Sequence, residues 1–386
     1  MIPYGRQDVT QTDIDAVVEV LTSDYLTQGP RVPQFEQIVA DYCGANHALA
    51  VNSATSALHL ACRALELEAG DWLWTTPNTF VSSANCGLYC GAQVDFVDID
   101  PQTYNLCPKA LASKLAKAEI NGCLPKVVIP VHLCGTPCDM ESIHALAKRY
   151  GFNIIEDAAH AIGGAYQGEP VGCGRYSDIT VFSFHPVKII TTGEGGMALT
   201  NNTTLVQRMT LLRSHGITRD PALMTHDADG PWYYQQIELG YNYRMTELQA
   251  ALGISQMERL DSYVARRHSL AQRYNEQLSS LPVVVPYQHQ DSYSGLHLYV
   301  IRLKLDQITS SHQEVFESLR EQGIGVNLHY IPIHTQPYYQ NMGFKVGQFP
   351  NAEQYYAEAI SLPMYPNLSE LQQDEVVTAL RKALDV

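Results

Sequence analysis

The stretch Val181-Phe-Ser-Phe-His-Pro-Val-Lys-Ile-Ile-Thr-Thr-Gly-Glu-Gly-Gly196 decides how this chain is read. The apolar residues over 179–184 predict a short strand. One lysine, Lys188, follows among uncharged neighbours, before a glycine-rich exit at Gly193, Gly195 and Gly196. A lysine in apolar surroundings loses affinity for its proton, and only a neutral amine attacks a carbonyl. Free lysine titrates at about 10.4, so a depressed Lys188 suits a Schiff base with an aldehyde, which is how pyridoxal 5′-phosphate (PLP) is held. The glycines let the backbone turn sharply and come close to a flat ligand. Taken alone, these residues are better accounted for by a surface lysine on a loop after a strand.

On either side of this stretch, short apolar runs alternate with helical patterns. Strands are predicted over 47–51, 72–75, 94–99, 126–131, 153–156, 178–184 and 197–200, and helices over 55–66, 79–89, 108–117, 140–150 and 205–212. Such alternation predicts an α/β fold with a mainly parallel sheet covered by helices on both faces. Ligands in these sheets sit at the carboxyl ends of the strands. Towards the N-terminus, Thr12 precedes Ile14, Val17, Val18 and Leu21, a helical stripe behind an N-cap residue. Residues 216–240, rich in Asp, Pro, Gly and His, break the pattern as a long loop, and long loops are usually functional. From Thr246 a helical pattern runs to about Leu278. A smaller α/β segment follows, with strands over 297–305 and 324–329 and helices over 312–322 and 369–384. The expected division is a large domain over 1–245 and a small C-terminal domain over 246–386.

Composition narrows the function. The chain has 386 residues, 45% hydrophobic and 17% charged, enough to bury a large core. No apolar run approaches the ~20 residues of a membrane span. Residues 1–10 lack the apolar core of a signal peptide, so a soluble cytoplasmic protein is expected. The nine cysteines are odd in number and scattered, which argues for free thiols rather than a disulfide framework. Cys86/Cys90 and Cys134/Cys138 share a C-x3-C spacing but have no partner pair at zinc-finger spacing, so no metal is expected. A net charge of −15 argues against nucleic acid or an anionic membrane as partner. A phosphate ligand would need local devices, such as helix N-termini and hydroxyls.

Four predicted strand ends carry residues suited to one ligand. Asn52-Ser-Ala-Thr55-Ser56 opens a helix with free N–H groups and hydroxyls, a seat for phosphate; an ordinary Ser/Thr helix cap explains the same residues. Phe80, in Thr75-Thr-Pro-Asn-Thr79-Phe80, offers a face for stacking on a ring, or packs in the core. Asp157, in Ile154-Ile-Glu-Asp157-Ala-Ala-His160, can hold the charge of a protonated pyridine nitrogen, or cap a helix. His160, one turn on, can reach a ring hydroxyl, or sit satisfied in the core. Ser183, near the end of the Lys188 strand, can reach the same phosphate. Their convergence on one sheet edge favours PLP.

The runs Asn52–Leu58, Glu156–His160, Ser183–Lys188 with Glu194–Gly196, and Gly240-Tyr-Asn-Tyr-Arg244 resemble the DegT/DnrJ-type nucleotide-sugar aminotransferases over essentially the whole chain. The resemblance implies fold type I of the PLP enzymes and a homodimer with shared active sites. It makes Lys188 the Schiff-base lysine and Asp157 the ring-nitrogen partner. It puts Thr55, Ser56 and Ser183 on the phosphate, with Asn242 entering from the other subunit. Many members have glutamine where His160 stands; either side chain can hydrogen-bond the ring hydroxyl.

A narrower similarity lies in Gly216-Ile-Thr-Arg-Asp-Pro221, Gly230-Pro-Trp-Tyr-Tyr234, Asn327-Leu-His-Tyr-Ile-Pro332 with Gln336-Pro-Tyr-Tyr339, and Ile360-Ser-Leu-Pro363. These resemble the branch of the family that serves pseudaminic acid biosynthesis. That branch moves an amino group from L-glutamate to C4 of a UDP-linked 4-keto-6-deoxy-N-acetyl sugar. The resemblance implies His329 and Tyr330 in the sugar pocket, and Arg219, Trp232 and Tyr233 in a loop over the nucleotide. The alternatives are a family member making 4-amino-4-deoxyarabinose or perosamine, and a non-catalytic PLP-binding relative. A PLP-dependent sugar dehydratase would carry histidine at the lysine position, and Lys188 is intact.

Overall fold

The computed structural model describes residues 1–385. Its strands in chain order begin with β1 (His47–Val51), β2 (Trp72–Thr75), β3 (Gln93–Phe96), β4 (Val127–Ile129) and β5 (Asn153–Asp157). A two-residue hairpin, β6 (Ala165–Tyr166) and β7 (Glu169–Pro170), precedes β8 (Ile179–Ser183) and β9 (Gly196–Thr200). Seven of these form one sheet in the order β1-β9-β8-β5-β4-β2-β3. β3, β2, β4, β5 and β8 run parallel, whereas β9 lies antiparallel between β1 and β8.

Period-two alternation explains the two covered faces. Ile179 and Val181 of β8 and Ile155 of β5 point to one face, under α3 (Ala54–Ala64), α4 (Ser82–Tyr89) and α7 (Thr203–Arg213). Phe182 and Phe184 point to the other, against α2 (Arg31–Cys43) and α8 (Glu247–Met257). Further along, Val128 and Ile154 meet α5 (Pro108–Asn121) and α6 (Met140–Tyr150). All five residues of β8 are buried, so it reads as a continuous apolar run.

The first helix, α1 (Gln11–Leu21), corrects one expectation. Its N-cap is Thr10, not Thr12, because the Asp13 carboxylate reaches back to accept the Thr10 N–H at 2.8 Å. Its buried face carries Asp13 and Val20, while the apolar stripe Ile14, Val18 and Leu21 is about half exposed. Asp13 is fully enclosed and accepts from Ser255 Oγ (2.6 Å), Gln256 Nε2 (3.0 Å) and Arg259 Nη2 (2.6 Å). This bond set locks α1 onto α8. It also explains why the helical pattern after Thr246 divides: Arg259 leaves helical geometry between α8 and α9 (Leu260–Leu278), where it turns to meet Asp13.

Beyond the 216–240 loop, which is pinned by the short ribbon β10 (Ile217–Thr218) and β11 (Gln235–Gln236), a second core begins at Leu270. It packs β12 (Val283–Val284), β14 (Tyr299–Leu303) and β15 (Ala359–Leu362) against α9, α10 (His312–Glu321) and the C-terminal helix Glu370–Ala383. Between β12 and β14, the short β13 (Ser292–Tyr293) pairs with β6. Residues 324–329 do not form the expected strand. Their backbone is shared between Ile2 and Ser361, one bridge each, so no ladder builds. The helix that follows the expected division at Thr246, α8, packs on α1 and α2.

No helix among the described residues is long and apolar enough to cross a membrane. Cys43, Cys62, Cys86 and Cys138 are buried, and all nine cysteines are free thiols.

Candidate active site

One cavity of about 670 Å³ opens at the carboxyl ends of β1, β2, β5 and β8. It is lined by Thr55, Phe80, Asp157, His160, Ser183, Lys188, His329 and Tyr330, eight of the thirteen residues expected from sequence.

One wall, rich in hydroxyls, comes from the turn between β1 and α3. Ser53 is the N-cap, its hydroxyl accepting the Ser56 N–H at 3.1 Å, and the first turn of α3 faces the cavity through Ala54 and Thr55. Ser56 does not line the cavity. Its hydroxyl donates instead to Asn52 Oδ1 at 2.7 Å. Gly196 of β9 packs directly beneath this turn: a Cβ there would lie 2.5 Å from Ala54 N and Ser53 C. Only glycine permits that approach, which brings Ser183 of the neighbouring strand to the same end.

Phe80 precedes α4 and keeps its ring 56% exposed, on the cavity wall rather than in the core. Asp157 ends β5, buried. Ser83 Oγ donates to its Oδ2 at 2.6 Å and the Ala159 N–H to its Oδ1 at 3.2 Å. His160 accepts the Cys134 N–H on Nδ1 at 3.2 Å, which puts the ring proton on Nε2, 3.2 Å from Tyr330 Oη. Burial, with the charges of Lys188 and His329 adding to it, pushes His160 well below the ordinary 6.5, so the ring is neutral. Burial likewise lowers Lys188 from 10.5 to about 8, against the pull of Asp157 and Cys134. His329, bonded to Ser361 Oγ through Nδ1 at 2.7 Å, falls to about 4 through burial and the charge of Lys188.

These contacts fit a phosphorylated pyridine aldehyde. They comprise a helix N-terminus with hydroxyls, an exposed aromatic face, a fixed carboxylate, a neutral N–H donor and an amine close to neutrality. Among the described residues, no group of three His, Cys, Asp or Glu side chains is placed to hold a metal.

Arg219, Trp232, Tyr233 and Asn242 are not brought to this cavity within the chain. Trp232 is 71% exposed, Tyr233 bonds His226 Nε2 at 3.1 Å, and Asn242 is exposed beside Ser214. Sequence reasoning missed Tyr4, His185 and Glu194 on the wall, and Ser83 and His297 behind it. Ser83 carried a faint signal, since it stands one helical turn after Thr79.

The family model for DegT/DnrJ/EryC1/StrS aminotransferases matches residues 7–381. The chain is 38% identical over 383 residues to the spore coat polysaccharide biosynthesis protein SpsC of Bacillus subtilis, covering 98% of this chain and 96% of that protein. It is 36% identical over 370 residues to the UDP-4-amino-4,6-dideoxy-N-acetyl-β-L-altrosamine transaminase of Campylobacter jejuni, covering 96% and 94%. A putative sugar aminotransferase of Streptococcus pneumoniae, solved in its PLP form, superposes with a TM-score of 0.89 at 28% identity, covering 100% and 98%. With its cavity built as described and its whole length matched, the chain belongs to the DegT/DnrJ/EryC1/StrS aminotransferase family and is a sugar aminotransferase.

Proposed function

We propose that this protein transfers an amino group from L-glutamate to C4 of a UDP-linked 4-keto-6-deoxy-N-acetyl hexose, as in pseudaminic acid biosynthesis. The observation that carries the reading is Lys188, an amine lowered to about 8 in a cavity it shares with Asp157, His160 and Phe80. The choice of sugar is supported by the similarity to the altrosamine transaminase over nearly the full chain. The similarity to the spore coat protein supports a second reading, another nucleotide-linked 4-keto sugar.

The cofactor is PLP, which when bound supplies an electron sink for a carbanion next to nitrogen. The chain supplies the rest. At pH 7 roughly one Lys188 in ten is neutral, against roughly one in 2,500 for an ordinary lysine. The same Nζ would carry a proton from the donor's Cα to the cofactor's aldehyde carbon in the first half-reaction, and from that carbon to C4 of the sugar in the second. Asp157 balances positive charge at the ring nitrogen. His160 offers Nε2–H to the ring oxygen. Thr55, Ser183 and the start of α3 hold the phosphate, and Phe80 covers the ring. His329 and Tyr330 face the sugar, with Tyr330 Oη shared with His160. A homodimer accounts for the exposed Ile14, Val18 and Leu21 stripe. It also accounts for Asn242, Arg219, Trp232 and Tyr233, which would act at the partner's cavity.

Adding glutamate to the PLP-loaded protein should replace the visible band of the pyridoxal form with that of pyridoxamine phosphate. The correct UDP-4-keto sugar should then restore the first band. A spectrum untouched by glutamate would refute the reading; restoration by a different sugar only would favour the second one.

A further inference from the structure

Asp157 is held from both sides, and the shorter hold comes from a residue the proposed function leaves unused. Ser83 stands 74 positions earlier, on α4, and is fully buried. Its hydroxyl has one proton and three acceptors in range: Asp157 Oδ2 at 2.6 Å, Thr79 Oγ1 at 3.0 Å and the Phe80 carbonyl at 3.3 Å. The charged, nearest acceptor takes it, since charge-assisted bonds are shorter and stronger. Thr79 Oγ1 lies 3.0 Å from Ser83 Oγ and is buried too. With the serine proton committed to Asp157, Thr79 donates to Ser83. A buried hydroxyl costs desolvation unless it is used. The hydroxyl at 83 therefore has a use that packing does not provide.

We infer that Ser83, supported by Thr79, is a positioning residue that sets the rotamer of Asp157, so that a free carboxylate lone pair is aimed at the cofactor's ring nitrogen. Thr79, Phe80 and Ser83 then act as one bracket at the start of α4, one carrying the ring's stacking face and two aiming its counter-ion. This rests on the reading of Asp157 given above and assigns that residue its orienting partner.

The test compares PLP with its analogue carrying carbon in place of the ring nitrogen, which cannot use Asp157. Dissociation constants are measured for wild type, Ser83→Ala and Asp157→Asn, with apo-protein melting curves alongside. Ser83→Ala should weaken PLP binding by about tenfold or more, as expected for a lost hydrogen bond to a charged group. The analogue should bind it nearly as well as it binds wild type, with the apo melt little changed. Equal losses for both ligands would mean Ser83 is merely structural and would overturn the inference. If Asp157→Asn itself fails to discriminate between the two ligands, the Asp157 reading falls, and this inference with it. If Asp157→Asn discriminates and Ser83→Ala does not, only the inference falls.

Discussion

Replacing Lys188 with methionine should make the cofactor-free protein more stable at neutral pH, although it destroys the proposed catalytic amine. The fall of Lys188 from 10.5 to about 8 measures how strongly the folded state disfavours the charged form. At ~1.4 kcal/mol per pH unit this is about 3 kcal/mol. Lys188 opens onto the cavity, so water screens part of the effect, and about 2 kcal/mol is the expected gain. Asp157, which loses its nearest cation in the variant, makes that figure a ceiling. Because the folded pKa is depressed, the cost is present in full below pH 8, where folded and unfolded chains both hold the proton. It shrinks as pH rises through 8 and vanishes near 10.5, where neither does. Urea denaturation of apo wild type and Lys188→Met at several pH values would show the two stabilities converging on the alkaline side. A variant no more stable than wild type at pH 7, or a difference that grows with pH, would refute the claim that burial lowers this amine.

Two other outcomes follow from the packing. Phe80→Ala should leave apo stability within about 0.5 kcal/mol, as for an exposed side chain, yet weaken PLP binding about fivefold through lost ring stacking; a large drop in the melting midpoint would show the ring to be core. Asp13→Asn should cost about 3 kcal/mol by breaking an enclosed ion pair. Burial raises the Asp13 carboxyl, but its bonds to Arg259, Ser255 and Thr10 outweigh this and hold it below the ordinary 3.8. The wild-type advantage should therefore be present above about pH 4 and disappear as pH falls through the lowered value, which acid titration of both proteins would reveal.

The sheet was legible because β8 and the centre of β5, Ile154 and Ile155, are buried on both faces and read as short apolar stretches between turn residues. The cavity was legible where chemistry sits at a strand end, as at Asp157, Ser183 and Lys188. The reading failed where distant residues decide local roles. The stripe on α1 reads as a core face, yet the buried side is chosen by Asp13, whose partners lie more than 240 positions away. Ser56 is a different case: it is expected on a phosphate, and in the fold its hydroxyl donates to the nearby Asn52. The aromatic loop around Trp232 reads as a lid, but nothing in its spacing says over whose cavity it lies.

The place of β9 bears on when the protein becomes able to hold its cofactor during synthesis. Gly196 pairs with Val51 on one side and Ser183 on the other, so the two halves of the proposed phosphate seat are stitched by a strand made long after the first. The Asn52 N–H donates to the Tyr243 carbonyl, at 2.9 Å. Pairings of such sequence separation form slowly. A nascent chain still short of Tyr243 thus has a complete β1 and α3 but no finished seat. On the proposed reading of this turn, cofactor capture comes only after β9 and Tyr243 have joined it, late in folding.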